Sequence, residues 1–189
     1  MTKNRMEAFS DGVIAILITI MVLELKVPQG HEWSALGGRF ALVFSAYVLS
    51  FVFLGIYWNN HHHMLHAAER TNGAVLWANL HLLFWLSLLP VATHWIGEGL
   101  YPAPTAAYGI VCLGAGAAYA VLQAALVRCN GPHSRLAKAV AGARKEIAST
   151  TLYVVAVLVA FLVPVVSAAI YVVVAALWLV PDSRIERAG

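Results

Sequence analysis

Residues 147–180 read IASTTLYVVAVLVAFLVPVVSAAIYVVVAALWLV, thirty-four consecutive positions without a charged side chain. Such a stretch belongs in hydrocarbon, and hydrocarbon accepts it only as helix, because each backbone group left unpaired there is heavily penalised. One crossing takes roughly 17 to 25 residues, so the run is too long for one ordinary span and slightly short for two. Pro164 lies near its middle. Proline lacks a backbone donor and collides with the preceding turn, so a reversal there divides the run into spans over 147–163 and 165–180. One long kinked helix is the alternative.

Outward from this run the same reading applies four more times. Apolar stretches cover about 7–27, 39–64, 73–97 and 104–127, separated by Pro28-Gln29-Gly30, by Glu69-Arg70-Thr71-Asn72-Gly73 and by residues 99–104. The whole sequence of 189 residues is 61% hydrophobic and 11% charged, where an ordinary soluble domain carries about 25% charge. No polar segment is long enough to fold separately. The expected fold is therefore a single all-α integral membrane domain over residues 1–189 with six helical spans, and any function sits within or across the bilayer.

Orientation follows from the basic residues, which collect in short cytoplasmic loops. With six spans, Lys3, Arg5, Arg70, Arg128, Arg135, Lys138, Arg144, Lys145, Arg184 and Arg187 share one side and only Lys26 and Arg39 remain opposite. Five spans would move Arg184 and Arg187 across and weaken the split. Both termini are expected in the cytoplasm, and the protein in the cell (inner or plasma) membrane. A cleaved signal peptide fits poorly, because Glu7 and Asp11 interrupt the N-terminal apolar stretch and no small-residue cleavage site follows. The net charge of +3 is dispersed, which disfavours a nucleic-acid surface. Cys112 and Cys129 offer neither a disulfide framework nor metal-ligand spacing.

The first span opens with Arg5-Met6-Glu7-Ala8-Phe9-Ser10-Asp11, a serine and a carboxylate at the start of an apolar helix. An acid within a span usually faces protein or water and has polar partners, although a helix-start acid can also rest in the headgroup zone. Ile16, Thr19, Ile20 and Leu23 follow at i, i+3, i+4 and i+7 and form one stripe, from which Ser10 and Asp11 point about 120° and 140° away in opposite senses. The helix can thus present the stripe to a symmetry axis while the polar pair is tied into its own subunit. Periodicity alone fits a lipid-facing or packing surface as well.

Partners for the polar pair stand at similar depth. The second span ends in Tyr57-Trp58-Asn59-Asn60-His61-His62-His63, and the third begins with Trp77, Asn79 and His81. Ser10 and Asp11 are expected to exchange hydrogen bonds with His61 or His62, Asn79 and Trp77, fixing the rotation of the first helix. A metal site is a weaker reading of the same histidines: His62 and His66 share a helical face, but no His-Glu-x-x-His motif supplies a third ligand and a base. Gly-x-Ser-x-Gly and Gly-x-x-x-x-Gly-Lys are absent too, so no enzyme and no cofactor are expected. No internal repeat argues for an inverted-repeat transporter.

The segment from Arg5 through Phe9-Ser10-Asp11-Gly12, closing near Leu23-Glu24-Leu25-Lys26-Val27-Pro28, resembles the signature first helix of the prokaryotic transmembrane protein 175 potassium channels. Trp58 with His61-His62, and Asn79 with Leu88-Leu89-Pro90, add to the resemblance, which spans the six-span layout but is sharp only in its first half. It implies a homotetramer whose first helices surround a central potassium pathway, with a layered hydrophobic constriction at Ile16, Thr19 or Ile20, and Leu23. It further implies a structural polar network of Arg5, Phe9, Ser10, Asp11, Trp58, His61, His62, Trp77 and Asn79. Its partners would be further copies of itself, the bilayer and permeant monovalent cations. No Thr-Val-Gly-Tyr-Gly loop is present, so carbonyl-ring selection is not available and selectivity is expected to be modest. The residues leave a second class open, a small proton- or cation-coupled carrier using Asp11 and the histidines as a relay. The surplus of imidazole, including His66 and His81, leaves room for a proton-sensitive current.

Overall fold

The computed structural model describes residues 2–28, 30–139 and 144–179. Gln29, Val180, Arg184 and Arg187, which enter the expectations above, lie outside the described residues. In chain order the helices are α1 (Lys3–Leu23), α2 (Arg39–Ala67), α3 (Gly73–Ser87), α4 (Leu89–Gly97), α5 (Pro102–Asn130), α6 (Arg135–Ala139), α7 (Arg144–Val159) and α8 (Pro164–Leu179), with a short 3-10 turn at Trp33–Leu36. No strand occurs among the described residues. Four helical stretches are long and apolar enough to cross a membrane: Lys3–Leu23, Arg39–Ala67, Gly73–Gly97 and Pro102–Asn130; Pro164–Leu179 is shorter, apolar and without a charged side chain.

Local chemistry sets the helix limits. Helix α1 covers 3–23, where the sequence suggested 7–27. Pro28 disfavours helical geometry at Val27, and the chain is already non-helical from Leu25. The stretch over 73–97 is broken at Leu88 into α3 and α4. Pro90 carries no N–H to offer the Leu86 carbonyl, and the Leu88 N–H closes α3 with a tight bond to the Trp85 carbonyl at 3.2 Å. Asn72 caps α3 by accepting from the Val75 N–H at 3.0 Å. The uncharged run of the C-terminal half resolves into two helices: α7 ends at Val159, and Pro164 stands at the first position of α8, where its missing donor is harmless. Ser167 Oγ donates to the Ala156 carbonyl at 2.7 Å and Trp178 Nε1 to Ser149 Oγ at 2.7 Å, so α7 and α8 lie antiparallel as a hairpin.

Helix α5 is the central post, packed against α3 and α4 on one side and α7 and α8 on the other. Small residues permit that approach. A side chain at Gly114 would run into the Trp85 ring, and one at Gly109 into the Tyr171 hydroxyl, which itself donates to the Thr105 carbonyl at 2.9 Å.

Polar ties collect at the two ends of the bundle. At one end Lys3 Nζ donates to the Ala68 carbonyl at 3.0 Å, and Asn130 Oδ1 accepts from the Glu69 and Arg70 N–H groups at 2.8 and 2.9 Å. At the other, Arg39 pairs with Glu98 at 2.9 Å and His94 Nδ1 lies 3.4 Å from Glu24. Lys3, Arg5, Arg70 and Arg128 thus gather at one end, and Lys26 and Arg39 at the other.

A candidate pore-lining helix and its polar tether

Helix α1 packs on α2, α3 and α4 through one face only. Met6, Ser10, Ile14, Leu17 and Met21 recur at steps of four, four, three and four and are buried. On the other side Ile16 is 58% exposed, Ile20 42% and Leu23 81%, and Thr19 is exposed with them. The stripe read from the sequence therefore stands largely uncovered among the described residues. Thr19 Oγ1 donates to the Ile16 carbonyl at 2.9 Å, which leaves the hydroxyl oxygen as an acceptor. Phe9, seven residues before Ile16, extends the bare stripe toward the N-terminus at 50% exposure, and Arg5 is exposed as well.

A buried chain of hydrogen bonds fixes the opposite face. Ser10 Oγ donates to the Met6 carbonyl at 2.9 Å and accepts from Asn79 Nδ2 at 2.9 Å. Asn79 Oδ1 in turn lies 2.8 Å from His61 Nε2. An amide oxygen only accepts, so the proton of this last bond sits on Nε2 of His61. All three side chains are buried, and together they join α1, α3 and α2. Nδ1 of His61 has no hydrogen-bond partner among the described residues.

A second set of contacts borders this chain on the exposed side. Trp58 Nε1 donates to Asp11 Oδ1 at 3.0 Å, and Glu7 Oε1 meets His62 Nδ1 at 2.9 Å. The Trp58 ring stacks on His62, with centroids 6.3 Å apart and planes inclined by 23°. His62 is also 6.2 Å from His66, ring to ring.

The structure thus brings Ser10, Asn79 and His61 together and pairs Asp11 with Trp58, while His62 goes to Glu7. Asp11 meets neither Asn79 nor an imidazole. Trp77 departs from the expected set: it is 75% exposed and borders His81 and Arg128 on the outer flank of α3. Two residues separate it from Asn79, or about 200° of helix, so with Asn79 turned to α1 it faces away. Arg5 and Phe9 likewise stand outside the hydrogen-bonded chain, on the stripe side of α1.

Sequence reasoning passed over a further tie near the outer half of α1. Ser50 Oγ lies 2.6 Å from Thr93 Oγ1 and 2.9 Å from the Tyr108 hydroxyl, joining α2, α4 and α5, and Thr93 Oγ1 also contacts Met21 Sδ at 3.9 Å. The available signal was three polar side chains in the middle of apolar runs, each needing a partner in a dry interior.

Comparison with known proteins adds an independent line. A family model described as endosomal/lysosomal potassium channel TMEM175 matches residues 5–90. Potassium channel HX13_20290 of Chryseobacterium sp. (strain P1-3) is 50% identical over 188 residues, covering 99% of this chain and 97% of that protein. Potassium channel B446_29190 of Streptomyces collinus is 40% identical over 102 residues, 52% of this chain and 49% of its own length. The crystal structure of a lysosomal potassium-selective channel TMEM175 homolog from Chamaesiphon minutus matches with a TM-score of 0.78 at 27% identity, covering 99% of this chain and 98% of that one. A bare stripe and buried tether on the first helix, in a chain matched end to end at this identity, lead to one assignment: the chain belongs to the TMEM175 family.

Proposed function

We propose that this chain is one subunit of a potassium-permeable cation channel in the cell membrane, built from six helical crossings per subunit and four subunits, with α1 of each lining a shared axial path. The observation that carries the reading is the division of α1 into a face held by the buried Ser10–Asn79–His61 chain and an unpartnered face of Ile16, Thr19, Ile20 and Leu23. Such a division suits a helix whose rotation matters. Family membership and the names of the relatives support the same reading.

In this reading α1, α2, the broken α3–α4 pair, α5, α7 and α8 each cross the bilayer, with both termini and the basic end of the bundle in the cytoplasm. Rings of Ile16 and Leu23 form an apolar bottleneck that gates by dewetting. Thr19, its proton committed to the Ile16 carbonyl, offers oxygen lone pairs to a partly dehydrated cation and nothing to an anion. The hydroxyl layer and the aperture select potassium modestly, without a ring of peptide carbonyls. The Ser10 chain, with Asp11–Trp58 beside it, sets the rotation that keeps these side chains on the axis.

Planar-bilayer recording of the purified protein under a potassium gradient tests this. Unitary current steps are expected. Ile16→Asn should raise conductance or alter cation discrimination, because a polar side chain wets the narrow zone. Slow saturable flux without unitary events would instead describe a carrier, and currents indifferent to Ile16, Thr19 and Leu23 would remove the stripe from the path.

A further inference from the structure

A cavity of about 100 Å³ opens between α2, α5 and α7, far round the bundle from the α1 stripe, with Trp178 of α8 at its edge. Its walls are apolar and aromatic. Tyr57 and Tyr119 meet edge to face there, ring centroids 6.1 Å apart and planes inclined by 63°. Glu146, in the first turn of α7, is the one charged side chain lining it among the described residues.

Glu146 Oε2 is shut away from solvent and has no hydrogen-bond partner among the described residues. Several nearby donors are directed elsewhere, and the Lys145 ammonium lies over the Trp178 ring, 6.0 Å from its centroid. Asn60 Nδ2 donates to the Ile56 carbonyl at 2.8 Å, the Tyr119 hydroxyl to the Asn60 carbonyl at 3.3 Å, Trp178 Nε1 to Ser149 Oγ at 2.7 Å, and Ser149 Oγ to the Lys145 carbonyl at 2.7 Å. A carboxylate oxygen at the dry edge of an aromatic-walled cavity is costly alone and well placed for a cation, whose charge the ring faces also attract.

We propose that this cavity binds the ammonium group of an amphiphile, with Glu146 as its counter-ion and Tyr57, Tyr119 and Trp178 as its walls. Size argues for a headgroup: a dry cavity of about 150 Å³ takes a molecule of benzene's size, so a volume of about 100 Å³ suits a small ammonium and the apolar remainder of the ligand leaves by the open side. An ethanolamine lipid and a free long-chain amine share this chemistry. The site is independent of the channel reading, since nothing in it touches α1.

The test is binding, read by native mass spectrometry of the full-length protein in a non-ionic detergent. Phosphatidylethanolamine, dodecylamine and, as a control without an amine, phosphatidylglycerol are titrated separately. One or both amines should be retained in preference to phosphatidylglycerol, and Glu146→Gln should weaken that retention by about tenfold. Retention of the lipid identifies a headgroup site; retention of dodecylamine alone identifies a free amine. Gly116→Val supplies an independent variant: Gly116 lines the cavity and a Cβ there meets only the Tyr57 hydroxyl, at 3.8 Å, so the larger side chain takes up cavity volume while the Glu146 carboxylate is retained, and it should also abolish retention. Equal retention of phosphatidylglycerol, or amine binding unchanged in both folded variants, overturns the proposal.

Discussion

Asn79 is the residue on which the tether turns, because it donates to Ser10 with one end of its amide and accepts from His61 with the other. Asn79→Leu keeps the branched shape of the side chain and removes both bonds, stranding the buried His61 N–H at about 1–3 kcal/mol and leaving Ser10 only its bond to the Met6 carbonyl. Thermal unfolding in detergent should show a drop of several degrees. Trp58→Phe removes only the bond to Asp11 on the exposed side and keeps the ring over His62, so its effect should stay below about 1.5 kcal/mol in the same assay. Equal losses would mean that burial does not distinguish the two contacts. Ser10, His61 and Asn79 were legible in the sequence because polar residues at matching depth on adjacent apolar spans have few other partners. The exchange of partners between Asp11 and His62 was not legible, since it depends on the rotation of α2 against α1, and neither helix carries a pattern that fixes rotation to within one residue.

At the scale of elements, the reversal at Pro164 was readable from length and charge together, and the break at Leu88 was not. Residues 73–97 look like one continuous apolar run, and a proline inside a membrane helix often leaves only a kink. Packing along α5 was also hidden, because a glycine in a span reads the same whether it faces lipid or a neighbour. The structure separates the cases and yields a paired prediction. Gly114→Ala pushes a methyl into the Trp85 ring and should destabilise the α3–α5 contact by about 1–3 kcal/mol. Gly116→Ala, half a turn away, meets only the Tyr57 hydroxyl at an ordinary contact distance of 3.8 Å and should be neutral within about 0.5 kcal/mol or gain slightly from helix propensity. Chemical or thermal unfolding of the two variants side by side gives the comparison, and a reversed order would mean that α5 is rotated from the position described.

For the whole molecule, the proposed assembly about the α1 stripe makes a direct prediction. In a background of Cys112→Ala and Cys129→Ser, Leu23→Cys should form intersubunit disulfides under mild oxidation, because a constriction brings equivalent residues within bridging distance. Leu158→Cys on α7 is a matched control, 65% exposed against 81% for Leu23, and should remain monomeric on a non-reducing gel. Light scattering of the solubilised particle should give four times 20.4 kDa of protein. The rim pair of Arg39 and Glu98 is solvent-exposed on both partners, so Glu98→Gln should alter stability by less than about 1 kcal/mol at moderate salt, read as a near-unchanged melting midpoint.

The hydrogen-bonded holds on α1 are unevenly distributed along its length. Lys3, Glu7, Ser10 and Asp11 anchor its first half to α2, α3 and the link beyond α2, whereas the far half, though Leu17 and Met21 are buried, has as polar contacts among the described residues only the long Thr93–Met21 approach and the loose one of His94 to Glu24 just past its end. A cantilever clamped at its base deflects most at its tip. On the proposed pore reading, any breathing of the axial path is then greatest at Leu23 and least beside Ser10, so that the Leu23 ring would act as the hinged leaf and the half of α1 around Ser10 as its jamb.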